Sequence, residues 1–244
     1  MQEKIVEFEN ISFSYGKNEV LDNINFYIEK GDFIGIIGPN GSAKSTLMKV
    51  MIGILKPDKG RVRLFNEDIK DFKDFTKVGY ISQNVRDINP RFPATVEEIV
   101  ESNLYSQLGF LKISNKNIKE KTYEVLRIVG MEEYKDTLIG KLSGGQKQRV
   151  FIARSLINNP EILFMDEPLV GIDIGSQKKL YSLMDKLNKD YNITLAMVSH
   201  DIGTIKNRAN KIFILGNKKL YVHDSDKIKS EDLLKEIYND DLKV

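Results

Sequence analysis

The chain contains no cysteine and only two histidines, His200 and His223. The first absence excludes disulfides, thiolate zinc sites, cysteine-ligated iron–sulfur clusters and cysteine nucleophiles, and the second excludes a multi-histidine metal site. Long apolar runs are missing too, since none approaches the roughly 20 residues that a membrane-spanning helix needs. No charge of one sign dominates: 37 Lys and Arg face 35 Asp and Glu, for a formal charge of +2. That near balance gives no sign of a nucleic-acid surface. Met1-Gln2-Glu3-Lys4 leads straight into a strand pattern, which leaves no room for a secretory signal, so a cytoplasmic location is expected. What 244 residues do allow is a substantial buried core, in one large α/β domain or a core with a subdomain.

The chain is organised around Gly38-Pro39-Asn40-Gly41-Ser42-Ala43-Lys44-Ser45-Thr46. An apolar run, Phe33 to Ile37, precedes this stretch, and Leu47, Val50, Met51 and Ile54 follow it at helical spacing. Strand, small-residue loop and helix in that order suit a phosphate site, because backbone N–H groups of the loop and the first helical turn converge on one anion. Lys44 would reach the β- and γ-phosphates, and the Ser45 hydroxyl would hold Mg²⁺. The pattern asks for glycine before the lysine, and Ala43 stands there. Alanine is tolerated if its φ is negative and its methyl points away from the phosphates; otherwise it narrows the cradle.

Upstream, apolar residues alternate at Ile11, Phe13 and Tyr15, and again at Leu21, Ile24, Phe26 and Ile28. These segments predict an antiparallel edge leading into the strand that feeds the loop. Tyr15 is either a half-exposed strand aromatic or a platform for a nucleobase. Arg61 to Phe65 and Val78 to Ser82 read as further strands, and Gln83 follows directly, where its amide oxygen could serve Mg²⁺ or the attacking water. Asn84 to Ala94, with Pro90 and Pro93, has no clean period and reads as a loop. Thr95 and Glu98 form a capping box opening a helix; helical patterns continue to Val129, interrupted by polar Ser114 to Lys119. Residues 86–140 are therefore expected to be a helical subdomain inserted into an α/β core of 1–85 and 141–244.

Leu142-Ser143-Gly144-Gly145-Gln146 opens the next helix, where Ser143 can cap and the glycines admit a ligand close to the backbone. Glu161 to Met165 is a buried-strand pattern delivering Asp166 and Glu167 at its C-terminal end, where open α/β sheets bind ligands. Asp166 suits Mg²⁺; Glu167, pointing the other way if the strand persists, can orient or activate water. Asp173 is placed to cap the helix from Ile174. The strand from Ile193 to Val198 ends at Ser199-His200-Asp201, so His200 could contact the γ-phosphate or lean on the glutamate. Lys211 to Leu215 is expected to be the last core strand, followed by a Gly216-Asn217 turn and an exposed His223, and Ser230 to Leu242 reads as a short helix.

Taken in order, GPNGSAKST at 38–46, Gln83, LSGGQ at 142–146, ILFMDE at 162–167, GID at 171–173 and His200 resemble the ATP-binding subunit of an ABC transporter. The resemblance covers essentially the whole chain. It implies a P-loop nucleotide hydrolase fold: a mostly parallel sheet, an N-terminal antiparallel β region and an inserted α-helical subdomain coupling to a membrane partner. It implies ATP and Mg²⁺ as ligands, with Ser45, Gln83 and Asp166 around the metal, Glu167 as catalytic carboxylate, His200 as γ-phosphate sensor and Tyr15 stacking on adenine. Asp173 would belong to a loop crossing a dimer interface. A head-to-tail pair, formed on ATP binding, would set each ATP between the phosphate loop of one chain and Ser143-Gly144-Gly145 of the other. Gln83 to Val100, and especially Phe92 to Val100, is similar to the branch that energises zinc or manganese uptake through a permease and an extracytoplasmic metal-binding protein. That branch implies a cassette on the inner face of the membrane whose cargo never touches it. Two other readings stay open at this point: a soluble cassette assisting iron–sulfur cluster assembly, and a non-hydrolytic ATP-gated module if Ala43 impairs turnover.

Overall fold

Two sheets of different character carry the strands. The computed structural model describes residues 2–83, 89, 91–105, 115–229 and 233; most of the expected loop at 84–94, the start of the polar stretch at 114 and nearly all of the expected C-terminal helix lie outside them. The strands are β1 (Lys4–Tyr15), β2 (Asn18–Glu29), β3 (Phe33–Ile37), β4 (Lys59–Leu64), β5 (Glu67–Asp68), β6 (Val78–Ile81), β7 (Ile162–Asp166), β8 (Thr194–Val198), β9 (Lys211–Gly216) and β10 (Lys219–Asp224). The helices are α1 (Lys44–Met51), α2 (Val96–Tyr105), α3 (Asn115–Val129), α4 (Gly144–Leu156), α5 (Ile174–Lys189) and α6 (Ile202–Lys206).

The smaller sheet runs β2-β1-β4-β5 and is antiparallel throughout. The expected antiparallel region is therefore present, but as a sheet of its own rather than as an edge of the parallel one. The larger sheet runs β10-β9-β3-β8-β7-β6. Its strands from β9 to β6 pair in parallel, and β10 closes one edge antiparallel to β9.

Strands β3, β7 and β8 are buried at every residue, as continuous apolar runs require when both faces are covered. The period of two then sorts their side chains. Ile34, Ile36, Ile162, Phe164, Ala196 and Val198 pack toward α1 and the small sheet, while Leu163, Met165, Leu195 and Met197 pack among the helices on the other face. Because both faces are packed, a one-residue slip of register would put every side chain into a space shaped for another, and that misfit would be costly. Gly35 admits α6, since a Cβ there would lie 2.5 Å from Ile205 Cγ1.

The capping box of α2 forms as the sequence predicts: Glu98 accepts from the Thr95 N–H at 2.8 Å and donates its own N–H to Thr95 Oγ1 at 3.3 Å. Two details at the far edge differ from expectation. The β9–β10 turn is Asn217-Lys218, both residues having positive φ, which suits the right-handed twist of a hairpin. His223 pairs opposite Ile212 and is half-buried rather than exposed.

Candidate functional site

Because β3, β7 and β8 are parallel and in register, with Ile36 opposite Val198 and Val198 opposite Asp166, their C-terminal ends share one edge of the sheet. Three chain segments far apart in sequence emerge there: the loop 38–46, Asp166-Glu167 and Ser199-His200.

The loop is built to leave donors open. Helix α1 begins after Ala43, which has φ 72 and offers no side-chain cap, and no acidic residue lies in its first turn. The backbone condition for a tolerated alanine is thus not met: an L-residue in the left-handed region costs roughly 1–2 kcal/mol. Its methyl packs against the apolar cluster formed by α1 and the small sheet, which offsets part of that cost. Lys44 is 6% exposed, and its Nζ donates to the carbonyls of Gly38 at 2.9 Å and Pro39 at 2.7 Å. Burial pushes the Lys44 ammonium pKa down, and the carboxylates of Glu167 and Asp166 oppose the shift. Ser42 Oγ is buried without a hydrogen-bond partner among the described residues. Gly38 has no room for a side chain, since a Cβ would meet Leu215 O at 2.2 Å.

Ser45 Oγ donates to Asp166 Oδ1 at 3.0 Å. Burial pushes the Asp166 carboxyl up and the Ser45 hydrogen bond pulls it down, the first being the larger effect. Strand β7 stops at Asp166, so the condition under which Glu167 would simply point the other way is not met: Glu167 has φ 49. Such left-handed strain gathers at functional sites. Here it brings the Glu167 carboxylate between two partners, Gln83 Nε2, which donates to Oε2 at 2.9 Å, and His200 Nε2 at 2.7 Å from Oε1. Tyr80, three residues before Gln83, was not picked out by sequence; burial and then Asp166 push its phenol up to about 12. Its only sequence signal is a polar-tipped aromatic in the strand that leads to Gln83. Tyr15 is 51% exposed; its hydroxyl lies 3.3 Å from Thr46 Oγ1, which fixes the ring beside the start of α1.

The second group of expected residues forms a separate patch. Ser143 accepts from the Gln146 N–H at 3.3 Å while Gln146 Oε1 accepts from the Ser143 N–H at 2.9 Å, a complete capping box at the start of α4. Asp173 caps α5 by accepting from the Ser176 N–H at 2.9 Å, and hydrogen bonding, from the Ser176 hydroxyl first and then from that N–H, holds its carboxyl below the usual range. The two helix starts touch: a Cβ on Gly145 would lie 2.7 Å from Ser176 Cβ. Among the described residues, no hydrogen bond ties this patch to the phosphate loop.

The profile of the ABC transporter family matches residues 21–170. The chain belongs to the ABC transporter family. The cassette is an ATPase of that family, with ATP as its ligand. It is 44% identical over 218 residues to the zinc uptake system ATP-binding protein ZurA of Listeria innocua, covering 89% of this chain and 85% of that one. It is 37% identical over 219 residues to the manganese transport system ATP-binding protein MntB of Halalkalibacterium halodurans, covering 90% and 85%. In structure it is similar to an ATP-binding cassette solved as a dimer in a post-hydrolysis state with ADP and Pi bound, with a TM-score of 0.77, 29% identity, and coverage of 91% and 99%.

Proposed function

We propose that two copies of this cassette close head to tail around two ATP molecules, and that hydrolysis reopens the pair to drive import of zinc or manganese through a separate membrane permease. The observation that carries the hydrolytic reading is Glu167, held by Gln83 and His200 beside the Ser45–Asp166 hydrogen bond and Lys44. The relatives' transport names support the cargo.

The donor set fits Mg²⁺. Ser45, Asp166 and the Gln83 amide offer oxygen only, as a hard cation prefers, and Asp166 is a buried carboxylate whose charge a cation would stabilise. These three residues would hold the ion, which supplies neutralisation of phosphate charge when bound. Lys44 would exchange its two carbonyl acceptors for phosphate oxygens, the exposed N–H groups of α1 would take the rest of the anion, and Glu167 would orient water toward the γ-phosphate. Tyr15 would stack on adenine.

The Ser143-Gly144-Gly145 patch of one copy would complete the site of the other, with Asp173 at the crossing between them. A cassette dimer among the solved relatives of this fold supports that arrangement. Residues 86–140 would transmit closure to the permease on the inner face of the membrane. The cargo would meet the permease and an extracytoplasmic metal-binding protein; a chain with no cysteine and two histidines has no thiolate or multi-histidine set to offer zinc. The iron–sulfur and non-hydrolytic alternatives find no support among relatives that are metal-transport subunits over most of their length.

The test is Glu167→Gln. ATP binding should persist, turnover should fall by about 100-fold or more, and dimer should accumulate in ATP by light scattering. A variant that stays monomeric in saturating ATP would sink the reading.

A further inference from the structure

Between β7 and α5 the chain passes through the loop 168–172, with Glu167 before it and Asp173 after it. On the reading above, this loop joins the carboxylate that faces water in one nucleotide site to the residue at the crossing to the second copy. Its own backbone does little to hold it. Pro168 has no N–H to give. The Val170 N–H donates to Glu167 O at 3.4 Å and the Ile172 N–H to Leu169 O at 3.3 Å, both beyond the usual span of roughly 2.7–3.2 Å. Glu167 and Gly171, with φ 49 and 69, keep the segment out of any regular ladder.

The firmest hydrogen bond comes from a side chain. Gln177, in the first turn of α5, turns its amide back on the loop, and Nε2 donates to Ile172 O at 2.9 Å and to Leu169 O at 3.3 Å. Carbonyl oxygens only accept, so the nitrogen end of the amide is the one that faces them, and both of its hydrogens are in use. One amide thus clamps two carbonyls of the same turn. The side chains of Leu169 and Ile172 anchor in the core, while Val170 between them is 42% exposed. The Gln177 N–H also donates to Asp173 O at 2.9 Å, so the clamp belongs to the helical turn that Asp173 caps.

We propose that Gln177 is a positioning residue for hydrolysis. Its amide fixes the loop between Glu167 and Asp173, and through the Glu167–Val170 turn it holds the left-handed backbone from which the Glu167 carboxylate meets Gln83 and His200. The role rests on the ATPase reading above. Gln177→Met keeps the length of the side chain and removes both donors. Its kcat should fall roughly tenfold while KM for ATP stays within about twofold, as expected when a catalytic group is misoriented and nucleotide binding is intact. Gln177→Glu separates hydrogen bonding from shape. The two side chains are the same size, so a space-filling role predicts turnover like wild type. A carboxylate set against two carbonyl oxygens has no donor, and in mildly alkaline buffer it should lower kcat at least as far as methionine does.

A second readout needs no turnover. In the nucleotide-free protein, amide hydrogen exchange at Ile172 should quicken in Gln177→Met, while exchange at Glu98, in the cap of α2, keeps its wild-type rate. Unchanged exchange at Ile172 would overturn the proposal. So would an unchanged kcat in Gln177→Met, a Gln177→Glu variant that turns over like wild type, or a loss of ATP affinity that matches the loss of kcat. If the wild-type chain fails to hydrolyse ATP, the ATPase reading fails by itself, and exchange at Ile172 still decides whether the amide holds the loop.

Discussion

Helices α1 and α4 both start at glycine-rich turns, yet their first turns are finished in opposite ways. The start of α4 is closed by its own side chains, with Ser143 and Gln146 satisfying each other's backbone N–H groups. The start of α1 is left open by Ala43, which has nothing to cap with. A helix N-terminus presents a fixed number of unpaired N–H groups, and a capping side chain competes with an anion for them. The open helix is the one that can take a whole phosphate group. The closed one retains a narrower capacity: the cap uses only the acceptor side of the Ser143 hydroxyl, so its O–H is left to donate, as the proposed head-to-tail pair requires.

The largest effect that would break this comparison is at the open helix. Lys44→Ala should weaken ATP binding by about 100-fold, or about 2.7 kcal/mol, measured by calorimetry on the isolated chain; an affinity close to wild type would mean that α1 is not the phosphate site. At the closed helix, Ser143→Ala should cost about 1 kcal/mol of stability while leaving the affinity of a single chain for ATP unchanged. Ser143→Asp sharpens the point. It can still accept the cap hydrogen bond, so thermal stability should be kept, but it brings a negative charge toward phosphate and should abolish ATP-dependent dimers in light scattering.

Ala43→Gly is expected to do less. Relief of roughly 1–2 kcal/mol of left-handed strain is set against the greater unfolded-state entropy of glycine, roughly 0.5–1 kcal/mol, and the loss of one packed methyl, about 0.8 kcal/mol. Stability should therefore change by less than about 1 kcal/mol, and turnover should persist in both forms at matched concentrations. If only the glycine form hydrolyses ATP, the methyl obstructs the cradle.

The smallest effect compares two closed starts. The cap of α2 contains an acid, Glu98, whose carboxyl is held below its ordinary value by hydrogen bonds from the Thr95 N–H and hydroxyl; the cap of α4 contains Gln146, which does not titrate. A depressed folded-state pKa stabilises above the unfolded value and is lost as pH falls through the folded one. Thermal melts from neutral pH down into the range below the ordinary carboxylate value should show a small acid-dependent loss that Glu98→Gln removes. An unchanged acid limb in that variant would mean that the α2 cap contributes nothing.

The legibility of the sequence was uneven for a physical reason. Caps and turns are local, so Thr95–Glu98, Ser143 at the start of α4 and Asp173 could be read from residues three or four apart. The apolar runs of β3, β7 and β8 announced a covered parallel sheet for the same reason. Tyr80 went unnoticed because its importance comes from the neighbouring strand that carries Asp166. His223 was misjudged because its burial depends on pairing with Ile212 across a hairpin.

By itself, the sequence determined the chemistry available: one amine and one hydroxyl after a small-residue loop, two carboxylates at a strand end, and a histidine at the next. Tertiary structure decided how they meet. Glu167 reaches Gln83, 84 residues away, and His200, 33 residues away, only because parallel register brings three strand ends to one edge. The left-handed backbone at Ala43 and Glu167 was likewise imposed from outside. Neither residue prefers that conformation; packing of α1 against the core holds the first, and the strand end with its two hydrogen-bonding partners holds the second.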